Sequence, residues 1–224
     1  MAELLALSAA IVVGDRVSAV RLTREAVDGG RPAQAILDAM TAAMAEVGAR
    51  FQREELYVPE MLIAARAMRE ATAVLEPLLV GAGIKPVATA LVGTVQGDLH
   101  DIGKNLVGMM WKGANIEVID LGNNVSPEAF AAAAQEHKAQ LIGVSALLTT
   151  TMSNMRHVVT AVRTAGLSGT KVIVGGAPVT SAFAHDIGAD GYAPDAAAAV
   201  DIAKELLGLA AAAGTAADAA GAAS

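Results

Sequence analysis

The sequence predicts an α/β chain in which a helical bundle precedes a doubly wound sheet of five parallel strands. Two patterns carry that expectation. From residue 3 to about 80, apolar residues recur at helical spacing, whereas from Pro86 onward short apolar runs alternate with helical ones. Composition agrees: 54% of residues are hydrophobic and 17% charged, with three Phe, two Tyr and one Trp. Ala, Val, Leu, Gly and Met must therefore supply the apolar mass, which is a helix-rich profile. A chain of 224 residues can bury one large core or two small ones.

The bundle occupies residues 1–80. Two short helices are expected at about 3–13 and 15–27. A third starts after the Gly29-Gly30 stop, with Pro32 suited to a first turn and Ile36, Leu37, Met40, Met44 and Val47 on one face. The fourth follows Pro59 and carries Met61, Leu62, Ala65, Met68, Thr72 and Leu75, ending near Pro77 and the Gly81-Ala82-Gly83 break. Residues 81–86 read as a linker. Within 87–207, strands are expected at 87–95, 117–121, 141–145, 171–175 and 190–193. Helices fall between and after them at 103–114, 127–138, 150–165, 180–187 and 196–207, and Ser126-Pro127-Glu128 is a good helix entry. Strands separated by helices require right-handed crossovers, which predicts the flavodoxin-like order 2-1-3-4-5. Residues 208–224 are rich in Ala and poor in large side chains, so they are expected to be disordered.

Charge and cysteine content remove several classes of function. A formal charge of −7 repels phosphate backbones, so neither nucleic acid nor an anionic membrane is an expected partner. With no cysteine there is no disulfide, thiolate zinc site, iron–sulfur cluster or cysteine nucleophile. Apolar stretches are all broken by Gly, Pro or charge before the ~20 residues that a spanning helix needs. Glu3 stands where a signal peptide needs a basic residue, so the expected location is the cytoplasm.

In an open parallel sheet, ligands bind beyond the carboxyl ends of the strands where the strand order reverses, here between strands one and three. Gln96-Gly97-Asp98-Leu99-His100-Asp101-Ile102-Gly103-Lys104-Asn105 follows strand one. Ser145-Ala146-Leu147 ends strand three with Thr149 and Thr151 close behind, and Gly175-Gly176 ends strand four. A phosphate-binding loop does not fit, because Gly97 and Gly103 enclose five residues, Asn105 replaces the hydroxyl, and Asp98 and Asp101 repel phosphate. A phosphoacceptor receiver does not fit either, because Ser145 stands where its Asp should be.

The series Asp98-x-His100-x-x-Gly103, Ser145-x-Leu147 and Gly175-Gly176 resembles the cobalamin-binding domain of methionine synthase, cobalamin mutases and methyltransferase corrinoid proteins. The helical segment, with Tyr57-Val58-Pro59-Glu60-Met61 and Ala64-Ala65-Arg66-Ala67-Met68, resembles the cap of the methyl-carrying branch. The resemblance spans about residues 1–207. It implies cobalamin bound with its benzimidazole displaced and His100 as the lower axial ligand of cobalt. Asp98 would accept the second ring N–H and tune the imidazole, with Thr151 next in the relay. Gly103 would let the displaced tail pass, Ser145, Leu147 and Thr149 would line its slot, and Gly175 and Gly176 would approach the nucleotide. Met61, Ala65 and Met68 would touch the upper corrin face, although a stripe at this spacing equally suits a core. The plainer readings are kept for other residues. His137 suits a helix C-terminus, His157 and His185 are surface or packing residues, Trp111 with Met109 and Met110 packs a helix, and Asp101 and Lys104 are solvated.

The function implied is that of a corrinoid carrier. It accepts a methyl group on Co(I) from a substrate-specific methyltransferase and passes it, as methyl-Co(III), to a second methyltransferase with a folate-like or thiol acceptor. A reductive activase is a further implied partner. No residue in the helical segment forms a second catalytic constellation, so the chain is expected to depend on partners for catalysis. Two alternatives share the cobalamin domain: the small subunit of an adenosylcobalamin mutase, which lacks a methyl-type cap, and a cobalamin light sensor, which adds a DNA-binding module. The donor, whether methylamine, methanol, betaine or aromatic methyl ether, is not legible.

Overall fold

The computed structural model describes residues 2–209. Four helices come first: α1 (Ala2–Val12), α2 (Arg16–Asp28), α3 (Ala33–Gln52) and α4 (Val58–Gly81). Local signals set their ends. Asp15 caps α2 by accepting the Ser18 N–H at 3.0 Å, and Glu60 reaches back to the Tyr57 N–H at 3.0 Å at the start of α4. The fourth helix includes Pro77 and ends at Gly81, at the expected Gly81-Ala82-Gly83 break. Pro77 cannot bond the carbonyl of Ala73, but Ala73 is exposed, so water satisfies that oxygen and the helix continues.

The remaining elements alternate as β1 (Ala88–Thr94), α5 (Ile102–Gly113), β2 (Ile116–Asp120), α6 (Pro127–Glu136), β3 (Leu141–Ser145), α7 (Thr149–Thr164), β4 (Lys171–Gly175), α8 (Ser181–Asp186), β5 (Gly191–Ala193) and α9 (Ala196–Leu206). All strand pairs are parallel and the order is β2-β1-β3-β4-β5, as the alternation predicts. Register aligns the carboxyl ends: Thr94 lies beside Ser145, Ser145 beside Gly175, and Gly175 beside Ala193. Every segment that leaves these ends therefore starts from one edge.

Alternate strand residues feed two apolar layers. Leu91, Ile142, Val144, Val172 and Val174 meet Phe130, Met155 and Val158 of α6 and α7. On the opposite face, Ala90, Val92, Leu141 and Ile173 meet Trp111 of α5 and Ala199 of α9, and this cluster continues unbroken into Met44, Met61 and Leu75 of the helical bundle. The bundle thus shares its core with the sheet. Close approach is built in where α3 crosses α5, since a Cβ on Gly113 would lie 2.9 Å from the Met44 side chain. Trp111 packs over Gly143 and donates its indole N–H to the Ala199 carbonyl at 2.9 Å, in line with its packing role.

At the carboxyl end of α9, Gly208 and Leu209 close the helix by bonding the carbonyls of Glu205 and Lys204. These two residues are ordered, contrary to the expected start of disorder at 208, and 210–224 lie outside the described residues. No described helix is long and apolar enough to cross a membrane.

Candidate functional site

The loop leaving β1 turns back at once, with the Asp98 N–H bonded to the Val95 carbonyl, and this tucks the Asp98 side chain under the strand ends. Asp98 is fully buried. Its Oδ1 accepts the backbone N–H of His100 at 3.0 Å and lies 2.7 Å from the imidazole Nδ1 of the same residue. Oδ2 accepts the Thr151 hydroxyl at 2.7 Å, the Leu147 N–H at 2.8 Å and the Leu148 N–H at 3.3 Å. Burial by itself would raise the carboxyl pKa. The Leu147 and His100 amides, the Thr151 hydroxyl and the imidazole outweigh it and hold Asp98 well below the usual carboxylate range.

An ionised carboxylate only accepts, so Nδ1 of His100 is the donor in this pair, and in the neutral imidazole that tautomer puts the lone pair on Nε2. Nε2 has no protein partner among the described residues, and the side chain is 52% exposed. Leu99, Ile102 and Leu147, which line the same cavity as His100, and the neighbouring Leu148 expose 42–78% of their surface, so this edge carries exposed aliphatic side chains.

From His100 a cavity of about 560 Å³ runs inward across the strand ends, bounded by Gly103, Ser145, Leu147, Gly175 and Gly176. Gly103 is informative: its backbone is ordinary, and a Cβ placed there would meet nothing within 4 Å. Packing of the protein itself does not require glycine at this position. Gly176 is the opposite case, with φ +131° and a hypothetical Cβ only 1.9 Å from the Ala146 carbonyl. Only glycine lets β4 turn away here and leave the cavity open.

Of the predicted residues, the structure gathers Asp98, His100, Gly103, Ser145, Leu147, Thr151, Gly175 and Gly176 at one edge. Thr149 is not among them; it opens α7 on the exposed side and does not line the cavity. Met61, Ala65 and Met68 do not line the cavity either. They are 0%, 7% and 4% exposed inside the helical core, because that face of α4 turns toward its neighbouring helices. From α1–α4 the residue that lines the cavity is Phe51, near the end of α3. Lys104 is not solvated. It is 3% exposed, with Nζ 2.6 Å from both Asp120 carboxylate oxygens and from Asn105 Oδ1. His137 caps α6, and His157 and His185 are exposed, as read. No cluster of three or more His, Asp or Glu suited to a metal exists among the described residues, which leaves a single imidazole as the protein's nitrogen donor at this edge.

Comparison with known proteins gives the family of the chain. A B12 binding domain model matches residues 88–201, and a second B12 binding domain model matches residues 4–76. The chain belongs to the methyltransferase corrinoid proteins. A dimethylamine corrinoid protein of Methanosarcina mazei is 45% identical over 178 residues, covering 79% of this chain and 83% of that protein. A corrinoid protein of Desulfitobacterium hafniense is 37% identical over 207 residues, covering 90% and 96%. Among solved structures, the methanol:cobalamin methyltransferase complex MtaBC from Methanosarcina barkeri superposes with a TM-score of 0.81 at 28% identity, covering 92% of this chain and 80% of that one. A cobalamin-binding protein from Desulfitobacterium hafniense superposes at 0.78 and 29% identity, covering 92% and 99%.

Cobalamin is the cofactor of this corrinoid protein, and the geometry fits it. A bare imidazole nitrogen would suit a metal centre, the exposed aliphatic side chains would suit the face of a macrocycle, and the space beside Gly103 would suit a tail leading into the cavity.

Proposed function

We propose that this corrinoid protein carries methyl groups between two partners, a substrate-specific methyltransferase and a second methyltransferase with a folate-like or thiol acceptor. The carrying observation is the Asp98–His100 pair, with its unpartnered Nε2 at the mouth of the cavity. Bound cobalamin supplies a cobalt centre able to take up and release a methyl group. The chain's residues do the rest. His100 would hold the cobalt through Nε2, with its ring orientation and tautomer set by Asp98. Leu99, Ile102, Leu147 and Leu148 would cover the corrin face, while Gly103, Ser145, Gly175 and Gly176 would leave room for the displaced base. Among the described residues no group of three or more His, Asp or Glu accompanies His100 at this edge, which supports a carrier dependent on partners. The names of the relatives at 40–45% identity favour a methylamine as donor. A reductive activase would restore the carrier after oxidation.

The test uses the full chain loaded with cobalamin. In the Co(II) state, electron paramagnetic resonance should show coupling to one axial nitrogen, and labelling the protein's histidines with ¹⁵N should change that splitting. Loaded and reduced protein should leave dimethylamine unchanged until a methyltransferase is added. Splitting that responds only to labelled benzimidazole, or demethylation by the chain alone, would overturn the reading.

A further inference from the structure

The loop that carries Asp98 and His100 is held from outside at nearly every backbone oxygen. The Asn154 side chain donates to the Gln96 carbonyl at 2.8 Å, the Asn124 N–H to the Asp98 carbonyl at 3.0 Å, the Asn123 side chain to the Leu99 carbonyl at 3.3 Å, and the Thr94 hydroxyl to the His100 carbonyl at 2.9 Å. Asn124 does more than the others. Its Oδ1 also accepts the Gly97 N–H at 2.8 Å, so one residue grips two consecutive residues of the loop through two different groups. That double grip needs a left-handed backbone, and Asn124 has φ +53°, a conformation asparagine tolerates better than most residues.

The grip has a firm base. The segment after β2 runs beside β1, with the Leu121 N–H on the Val92 carbonyl, the Thr94 N–H on the Gly122 carbonyl and the Val125 N–H on the Thr94 carbonyl. Asp120 anchors its start, accepting the Gly122 N–H at 2.8 Å and pairing with buried Lys104. Asn124 therefore hangs from the sheet and not from a free loop.

We propose that Asn124 is a positioning residue for the axial histidine: by fixing the backbone of Gly97 and Asp98 it holds the Asp98–His100 pair in ligating posture before cobalamin arrives. This rests on His100 being the axial ligand. The ring's direction is set by a carboxylate two residues earlier, so a rotation of the backbone at residues 97 and 98 swings both groups together. Preorganisation of this kind lowers the ordering cost of ligation.

Two substitutions separate hydrogen bonding from backbone strain. Asn124→Gly accepts φ +53° but lacks the oxygen that receives the Gly97 N–H, whereas Asn124→Asp keeps an acceptor there. Titrated with cobalamin, the full-length Gly variant should bind about tenfold more weakly, the range seen when partners of a ligand are removed. Its Co(II) resonance should contain a fraction without histidine-nitrogen splitting. The Asp variant should match the unsubstituted protein in both readouts. A Gly variant with unchanged affinity and splitting, or an Asp variant as impaired as the Gly variant, would overturn the proposal. If the unsubstituted protein itself lacks histidine-nitrogen splitting, the fault lies with the assignment of His100, which sets the two failures apart.

Discussion

Replacing Asp98 by Asn is the most direct probe of the site, because it keeps the shape and removes the charge. The carboxylate receives five donors, three on Oδ2 and two on Oδ1. An amide has one oxygen, so one of these sets must face an NH₂ group. With the amide oxygen toward His100, the Leu147 N–H loses its acceptor inside a fully buried site. A stranded buried amide costs about 1–3 kcal/mol and a lost charge-assisted bond about 1.5–3 kcal/mol, so a net loss of about 3 kcal/mol is expected at neutral pH. That is roughly 150-fold in the folding constant. The sign of the pH dependence follows from the depressed carboxyl. In the unfolded chain Asp98 takes up its proton near the ordinary value, while the native chain resists until much lower pH. Its contribution is therefore complete above about pH 5 and is lost as pH falls through the native pKa, below the usual carboxylate range. Urea unfolding of the cofactor-free protein at pH 7, 5 and 3.5 should show the gap between the two proteins narrowing only at the lowest pH. Equal stability at pH 7, or a gap that does not shrink on acidification, would refute the account of Asp98 as a buried anion held by its donors.

The two informative glycines should part company. Gly103→Ala puts a methyl group into open space in the first turn of α5, so stability should be unchanged or rise by up to about 1 kcal/mol, while cobalamin titration shows at least tenfold weaker binding. Gly176→Ala forces a Cβ onto the Ala146 carbonyl and should cost about 4 kcal/mol or more, seen as a lowered unfolding midpoint before any cofactor is added.

Much of the sheet was legible because parallel strands buried on both faces read as short continuous apolar runs, and the connecting helices leave one permitted handedness. The strand-end residues were legible for the same reason, since polar side chains and paired glycines interrupt apolar runs at fixed points. What escaped was non-local. Lys104 looks like a solvated loop charge until register brings Asp120 beside Val92, level with the first turn of α5. The stripe Met61, Ala65 and Met68 shows which face of α4 is apolar but carries no information about what covers it, and neighbouring helices do. Phe51 continues the periodic stripe of α3 four residues after Val47, so nothing in its local pattern separates it from a core aromatic. Asn124 is an ordinary loop asparagine in sequence, and its value comes from a left-handed backbone and a loop 26 residues earlier.

The aliphatic edge that carries His100 also has a colloidal consequence. Exposed aliphatic side chains on the loops at the same sheet edge as a half-exposed imidazole are the kind of surface that soluble monomers keep small. Made in a host or medium without corrinoid, the polypeptide presents that surface to its neighbours, and self-association through it competes with folding yield. The surplus of negative charge opposes such encounters at low ionic strength, and added salt weakens that opposition. Material produced this way should precipitate at lower ammonium sulfate than the loaded form, which makes fractional salting-out a simple way to separate the two.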